Sequence, residues 1–536
     1  MPADQPTDVA DVVRRGYAFE GAALELGALL VDGEPVVDAQ VRVPLAMLNR
    51  HGLVAGATGT GKTKTLQLMA EQLCANGVPV FMADIKGDLS GIGQPGLANE
   101  KLTARTASIG QDWQPAGCPV EYLSLGGTGA GVPVRATITS FGPTLLAKVL
   151  DLNETQTSSL ALVFHFADKA GLALLDLKDL RAVIQYLISE EGQDDLEGLG
   201  GLSKATAGVI LRELIAFADA GAEVFFGEPE FDTRDLIRTA TDGRGVITCL
   251  ELPAVQDKPA LFSTFLLWML ADLFQDLPEA GDLDKPKLVF FFDEAHLLFR
   301  DASKAFTEQI TTTVRLIRSK GVGVFFVTQS PKDVDGDVLA QLGNRVQHAL
   351  RAYTPDDAKA LRAAVSTFPK SSYDLEELLT QLGIGEAIIT VLSERGAPTP
   401  VAWTRLRAPQ SLMAPAPAEA LAATVAASPL QPRYGVALDR ESAYERLAAK
   451  LAPPPSVTTQ EPAARREPDP ERSAPERAAP DRRTEDRAAP RRAGKDEPGL
   501  VTEVVKSSAF KSFLRSAGTV LGREITRSIL GTARRR

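Results

Sequence analysis

The stretch HGLVAGATGTGKT, residues 51–63, decides the fold. It satisfies the pattern G-x-x-x-x-G-K-[ST], with a short apolar run before it and the helix-forming KTKTLQLMAEQLCANG after it. That order predicts a strand, a tight loop and a helix, in which glycines let backbone N–H groups turn toward phosphate oxygens. An accidental glycine-rich turn is the alternative, but both flanks fit a phosphate loop. The sequence therefore predicts a nucleotide site formed by Gly56, Ala57, Thr58, Gly59, Thr60, Gly61, Lys62 and Thr63.

Two side chains of this loop carry the chemistry expected of a nucleotide site. Lys62 is expected to place its ammonium on the β- and γ-phosphates, and the Thr63 hydroxyl to help hold Mg²⁺. ATP and Mg²⁺ are therefore the expected cofactors.

A second motif, KLVFFFDEAH at residues 287–296, places two acids after an apolar strand. Ligands of open parallel sheets bind at the carboxyl ends of the strands. Asp293 is expected to bind Mg²⁺, directly or through water, and Glu294 to polarise the water that attacks the γ-phosphate. The alternative is a pair of acids that only ends a strand and begins a helix.

Polar residues follow two further predicted strands. Gln329 ends the strand in GVGVFFVTQSP, where it could contact the γ-phosphate or the attacking water; the alternative is a strand-end amide with its hydrogen bonds satisfied. Asp84 and Asp88 in ADIKGDLSG have two equally weighted interpretations: a role near Mg²⁺, or a capping or loop role.

Outward from these motifs, short β-branched or aromatic runs alternate with helical segments, which is typical of an α/β domain. Several of the runs are continuously apolar, as in strands buried on both faces of a mostly parallel sheet. The predicted strands are 52–56, 78–84, 120–125, 245–252, 287–293, 323–329, 348–353 and 386–392.

The same reading divides the chain into seven segments. These are a lead-in (1–50), the phosphate-loop half of an ATPase core (51–140), a helical insertion (141–242), the second half of the core (243–410), a helical extension (411–450), a linker (451–500) and a terminal segment (501–536).

The last two segments differ sharply in composition from the rest. Residues 451–500 contain ten prolines and twenty charged residues, which predicts a disordered linker because too little apolar area is available to offset the entropy of ordering. Residues 501–536 carry eight basic and two acidic side chains and predict a basic amphipathic helix. Such a helix suits DNA, an anionic membrane surface, a partner protein or docking on the same assembly.

Composition excludes several classes of protein. The formal charge of −11 argues against a protein that simply coats nucleic acid. The three cysteines, Cys74, Cys118 and Cys249, have no paired spacing, which argues against a disulfide framework or a zinc cluster. The polar N-terminus lacks a signal peptide, and the longest apolar run, 261–274, is too short to span a bilayer. A cytoplasmic protein is expected.

The motifs GATGTGKT, FFFDEAH and VRLIRSKGVGVFFVTQSP together resemble the HerA/FtsK superfamily of ring-forming DNA-pumping ATPases. RHGLVAGATGTGKTKTLQ, VPVFMADIKGDLSG and LGREITRSILG are similar to the bacterial HerA-like helicase proteins. The resemblance covers about residues 15–410 and, in addition, the short C-terminal segment LGREITRSILG. It implies an α/β, RecA-like P-loop ATPase with an additional strand and a catalytic glutamate.

The resemblance also implies a homo-hexamer in which a neighbouring subunit supplies an arginine to each site. By motif, Arg318 matches that trans arginine, with Arg315 as the second candidate and an ordinary surface arginine as the alternative. Arg50 matches another arginine that the family places near phosphate. The family commonly carries an N-terminal β-barrel that docks a nuclease, whereas only about 50 residues precede this loop. The resemblance therefore does not by itself imply binding of that nuclease or processing of DNA ends.

Three functions remain open on the sequence. The favoured one is a ring ATPase that translocates on or unwinds DNA, by analogy with the family. The others are an ATPase that moves or remodels protein, and a nucleotide-gated interaction protein.

Overall fold

The computed structural model describes residues 8–197, 200–299 and 304–451. The predicted linker (451–500), apart from its first residue, and the predicted terminal helix (501–536) lie outside the described residues.

The described residues form one sheet of twelve strands, most of them parallel. The strands are β1 (Ala23–Val31), β2 (Glu34–Pro44), β3 (Gly52–Ala55), β4 (Val80–Asp84), β5 (Val120–Leu125), β6 (Val132–Val134), β7 (Ile247–Glu251), β8 (Leu288–Phe292), β9 (Val322–Thr328), β10 (Asn344–Gln347), β11 (Glu386–Thr390) and β12 (Ala402–Leu406).

Helices cover both faces of this sheet. They are α1 (Val9–Gly16), α2 (Lys62–Ala75), α3 (Glu100–Ser108), α4 (Ile138–Val149), α5 (Glu154–Lys169), α6 (Leu177–Leu187), α7 (Gln193–Glu197), α8 (Lys204–Asp219), α9 (Pro259–Asp276), α10 (His296–Phe299), α11 (Lys304–Ile317), α12 (Gly336–Leu339), α13 (Pro355–Val365), α14 (Leu375–Gln381), α15 (Ala418–Ala427), α16 (Gln431–Tyr434) and α17 (Ala443–Leu451). Short 3₁₀ turns lie at Leu45–Arg50, Ser90–Gly93, Ala222–Phe225, Thr233–Leu236, Pro253–Val255, Arg318–Lys320 and Pro331–Asp333.

The strand order is β2-β1-β12-β11-β10-β3-β9-β8-β4-β7-β5-β6. All pairs from β10 to β6 are parallel, and β10-β11, β11-β12, β12-β1 and β1-β2 are antiparallel. The phosphate-loop strand β3 is thus separated from the acid-bearing strand β8 by one additional strand, β9. This confirms the predicted mostly parallel, RecA-like α/β fold.

The sequence predicts eight strands. The six that lie between residues 52 and 329 are confirmed as β3, β4, β5, β7, β8 and β9, and the last, at 386–392, is confirmed as β11. The prediction of a strand at 348–353 is wrong. The strand at this place is β10, which ends directly before residue 348 and pairs in parallel with β3 from Asn344 to Gln347. Polar residues at both ends concealed it, because their amides are buried and hydrogen-bonded: Asn344 Nδ2 donates to His51 O, and Gln347 Nε2 to Ala55 O.

The segment interpreted as a lead-in, 1–50, contributes structure that the sequence analysis did not identify. Its β1 and β2 form a hairpin that pairs with β12 and extends the sheet at its antiparallel end. Helix α1 packs against this hairpin, and the hydroxyl of Tyr17 donates to Pro400 O at 2.8 Å. The N-terminal segment is therefore part of the sheet.

Between β6 and β7 the described residues contain helices α4 to α8 and no strand. These helices enclose the largest of the three core clusters together with α9, whose apolar run is almost wholly buried. In the described ranges no helix is long and apolar enough to cross a membrane.

After β12 the chain crosses the molecule as a segment that we call the strap, residues 408–451. It starts on α2, where Glu71 accepts the backbone N–H groups of Gln410 and Ser411 at 2.8 Å each. It then follows β5 through α15 and ends with α17 packed on α6. The strap therefore joins the phosphate-loop helix to the helical insertion.

Candidate nucleotide site

The loop between β3 and α2 has the backbone of a phosphate cradle. Gly56, Gly59 and Gly61 have φ values of 156°, 79° and 113°, in the region where an L side chain is strained. At Gly56 a Cβ would also lie 2.4 Å from the Cβ of His348. The glycines of the motif are thus required by the conformation of the loop itself.

Neighbouring strands hold this loop in place. Gly56 N donates to Thr328 O at 3.2 Å, and Ala57 N to Ala349 O at 2.8 Å. On the other side, Gly385 N donates to Thr60 O at 2.9 Å. Segments distant in sequence therefore fix the cradle before any nucleotide binds.

Lys62 begins α2 and is 9% exposed. Its Nζ donates to Ala57 O at 3.1 Å, so the ammonium folds back over the loop that would hold phosphate. Burial lowers the pKa of Lys62, while the charges of Glu294 and Asp293 oppose that shift. Thr63 follows in the first turn of α2.

Asp293 and Glu294 come directly after β8, and β9 separates this strand from the phosphate-loop strand β3. Asp293 is 4% exposed, and burial together with the charge of Glu294 raises its pKa to about 7. A buried carboxylate with so high a pKa is stabilised by a cation. Together with the Thr63 hydroxyl it offers the oxygen donors that Mg²⁺ prefers, so these residues fit the ion.

Glu294 adopts a left-handed backbone with a φ of 47° and is 5% exposed. Burial would raise its pKa, but neighbouring His296 and the ammonium of Lys86 bring it to about 2. Lys86 contacts Glu294 Oε1, and His296 Nδ1 lies 3.1 Å from Oε2 without a hydrogen-bonding geometry. Lys86 lies in the stretch ADIKGDLSG, but nothing in that stretch predicts its contact with Glu294.

The two acids of ADIKGDLSG separate in the structure. Asp84 has a loop role: its carboxylate accepts the N–H of Gly87 at 2.7 Å and of Leu89 at 2.9 Å. Burial raises the pKa of Asp84 to about 6. Asp88 is half-buried, has no hydrogen bond on Oδ1 and contributes to the raised pKa of Asp293.

Gln329 is the first residue after β9 and is exposed. It lines a cavity of about 800 Å³ whose wall also includes Ala57 and Thr58 of the loop and His296 after the acids. Lys332, Arg351 and Tyr353 also line this cavity. The predicted loop and Gln329 therefore line one cavity, and the two acids lie at the same edge of the sheet, just before His296 in the chain.

The arginines lie elsewhere. Arg50 immediately precedes His51 and β3, and Arg318 lies four residues before β9, the parallel neighbour of β3. Both arginines are therefore at the edge where these strands begin, about 13 Å or more from the phosphate loop at the other end of β3. The structure does not bring Arg50 to the phosphate loop of its own chain, contrary to the simplest interpretation of its predicted role.

Arg50 and Arg318 lie close to each other at that edge. Burial lowers the pKa of Arg318, and the charge of Arg50 lowers it further. The charges of both arginines act on buried His51, which has a φ of 59° and whose Nδ1 accepts the N–H of Val324 in β9 at 3.0 Å. Arg315 is exposed near the end of α11.

The family model for the C-terminal region of HerA-like helicases matches residues 30–536. The chain belongs to this HerA-like helicase family. The HerA DNA double-strand break repair helicase of Sulfolobus acidocaldarius is 22% identical over 394 residues, which are 72% of this chain and 70% of the relative. The corresponding protein of Saccharolobus solfataricus is 22% identical over 379 residues, 70% and 67% of the two chains.

Solved structures of other proteins are similar to part of this HerA-like chain. The bacterial conjugative coupling protein TrwB has a TM-score of 0.48 and 16% identity, covering 74% of this chain and 91% of TrwB. VirB4 of Thermoanaerobacter pseudethanolicus has a TM-score of 0.47 and 15% identity, covering 73% and 97%.

The HerA-like family and the geometry of the site agree on its class. The chain is a P-loop ATPase, and the residues of its site fit ATP with Mg²⁺. When bound, Mg²⁺ would neutralise phosphate charge. The glycine loop, Lys62 and Glu294 lie at the edge of the sheet where a nucleotide would bind.

Proposed function

We propose that this chain is the subunit of a ring ATPase that hydrolyses ATP with Mg²⁺ and uses the energy to move along or unwind DNA. The observation that carries the ring is the division of the site. The loop, acids and glutamine lie at one edge of the sheet, and the paired Arg50 and Arg318 lie at the other. A second copy that places its arginine edge against this loop would complete the site.

In the proposed reaction Glu294 accepts the proton of the attacking water, and Thr63 and Asp293 hold Mg²⁺. Gln329 contacts the γ-phosphate or the water and so responds to the state of the nucleotide. Arg318 of a neighbour, supported by Arg50, stabilises the charge that develops in the transition state. A hexamer is the proposed assembly, and the cytoplasm its proposed location.

DNA as the substrate is supported by the family of helicases to which the chain belongs. Relatives that cover about 70% of both chains carry the name of DNA double-strand break repair helicases. The acidic net charge of −11 does not oppose this, because a ring needs only a few cations along its pore to hold a phosphate backbone.

The test is ATP turnover by the full chain in low salt, with and without double-stranded, single-stranded and forked DNA, alongside the mass of the assembly. We expect DNA to raise the rate several-fold and the mass to correspond to a ring. Lys62→Ala should abolish turnover, and Glu294→Gln should keep ATP binding but slow hydrolysis by about 10²-fold or more. Glu376→Gln, an exposed change on α14, is the matched control.

A rate of ATP turnover that is unchanged by every form of DNA would contradict DNA as the substrate. It would favour a protein substrate or nucleotide-gated binding. Near-normal hydrolysis by Glu294→Gln would instead remove Glu294 from its role.

A further inference from the structure

The carboxylate that would activate water is already engaged in this chain. Glu294 Oε1 contacts the ammonium of Lys86, and Oε2 faces His296 Nδ1 at 3.1 Å. The left-handed backbone at Glu294 and its burial leave the side chain little freedom to turn elsewhere. A carboxylate oxygen that is held by an ammonium is not free to accept a proton from water.

Lys86 reaches Glu294 from a loop that the fold holds in shape. This loop follows β4, and both oxygens of Asp84 accept N–H groups from it. Gly87 has a φ of 75°, and a Cβ there would lie 3.1 Å from Pro253 Cγ. The backbone around Lys86 is thus set by contacts that do not involve Glu294.

The side chain of Lys86 is, by contrast, half exposed, whereas that of Glu294 is 7% exposed. The ammonium can therefore leave the pair for solvent or for an anion, while the carboxylate stays where it is. The pair can open from the lysine side alone, without a change in the backbone of the site.

The loop also has a route to the rest of the molecule. The next turn, Ser90–Gly93, is tied to the strap, since Ser90 Oγ accepts the N–H of Ala416 at 3.0 Å. The hydroxyl of Tyr122 in β5 donates to Ser90 O. A displacement of the strap would therefore move Ser90, in the turn that directly follows the Lys86 loop.

We propose that Lys86 is a positioning residue that holds Glu294 in an unproductive ion pair at rest, and that DNA binding opens this pair to start turnover. The proposal rests on the function proposed above for Glu294. It assigns Lys86 the task of keeping ATP hydrolysis low until the substrate is engaged.

The experiment compares Lys86→Met, Lys86→Arg and the wild-type full chain, with Lys101→Met, an exposed lysine change on α3, as the control. Without DNA, Lys86→Met should raise kcat roughly three- to tenfold, the scale of an ion pair with one half-exposed partner, and leave the KM for ATP unchanged. Lys86→Arg should keep the low wild-type rate. A fall in kcat in Lys86→Met would overturn the proposal, because it would show that the lysine assists the reaction.

A double-mutant cycle separates this role from a merely structural one. Since Lys86 acts through Glu294, adding Lys86→Met to Glu294→Gln should leave the residual single-turnover rate unchanged. An equal effect in both backgrounds would overturn the proposal.

Two further measurements keep the inference apart from the proposed substrate. DNA should stimulate ATP turnover by Lys86→Met by a factor close to one. If DNA does not stimulate turnover by the wild type, DNA is contradicted as the substrate. The comparison of turnover rates without DNA then still tests the resting ion pair. Acylation of lysine amines in the nucleotide-free chain needs no turnover: Glu294→Gln should speed labelling of Lys86, whose ammonium it releases, and leave labelling of Lys101 unchanged. An unchanged labelling rate of Lys86 in Glu294→Gln would overturn the ion pair.

Discussion

Glu251, at the end of β7, is a buried acid that the proposed reaction does not use. It is 5% exposed, its Oε1 has no hydrogen-bond partner, and it pairs in register with Asp84 on the neighbouring strand. Burial and then the charge of Asp84 raise its pKa to about 8. The folded chain therefore holds this proton more tightly than the unfolded chain does.

This proton makes stability depend on pH. Because the folded pKa of Glu251 is raised, its contribution is present below the ordinary value of 4.5 and is lost as the pH rises toward about 8. Asp84 and Asp293, with pKa values of about 6 and about 7, act in the same direction.

We therefore expect Glu251→Gln to gain stability relative to wild type between pH 5 and pH 8, by on the order of 2 kcal/mol. Chemical denaturation of the Mg²⁺-free chain at both pH values measures the difference. Glu376→Gln should show no such change. A Glu251→Gln effect that is equal at the two pH values would contradict the raised pKa.

At this scale the sequence predicted where the residues of one short motif would lie. The loop from Gly56 to Thr63 and the pair after β8 each form one short motif, so spacing alone revealed them. Lys86 was missed because its partner is 208 positions away. Arg50 was assigned to the phosphate although the strand between them separates the two.

At the scale of elements, Asp179 in the first turn of α6 joins the insertion to the strap. It is 1% exposed, and its Oδ2 accepts the N–H groups of Leu175 and Asp176 at the start of the helix. Its Oδ1 accepts the Ser442 hydroxyl and the N–H of Tyr444 at 2.9 Å, where α17 begins. One carboxylate thus caps one helix and docks another.

Asp179→Ala should destabilise the chain by about 3 kcal/mol, because it leaves several buried donors without a partner. Helix α17 should then detach, and trypsin should cut at Arg446 and Lys450 faster than in wild type. Denaturation and limited proteolysis measure the two effects. Asp168→Ala, an exposed change on α5, should alter neither; a wild-type cleavage rate in Asp179→Ala would show that α17 docks without this contact.

The elements that the sequence did not predict share one cause. The continuous apolar runs of β4, β8 and β9 reveal strands buried on both faces, whereas β10 begins and ends with polar residues whose amides are satisfied by distant carbonyls. Strand β12 has an alternating pattern of burial, and β2 is partly exposed at the sheet edge. Their place in the sheet depends on partners far along the chain.

At the scale of the whole molecule, the proposed division of the site between two chains can be tested by mixing variants. Arg318→Ala and Glu294→Gln should each be nearly inactive alone. In mixed assemblies about a quarter of the sites would combine an intact glutamate with an intact neighbouring arginine, so turnover should return to roughly that fraction of wild type.

The control mixes Arg318→Ala with the double variant Arg318→Ala, Glu294→Gln, which supplies no intact arginine and should restore nothing. Equal turnover in the two mixtures would show that Arg318 does not act on a neighbour's site.

The placement of the loop and the arginine pair at opposite ends of β3 has a geometric consequence. Two chains related by a two-fold axis present the same patch to each other, whereas the proposed contact of the arginine edge with a neighbour's loop requires two different patches to meet. Each added copy then points the same way as the last. An assembly built by such contacts has two unlike faces, so a linear polymer that passes through it encounters a defined entrance and a defined exit.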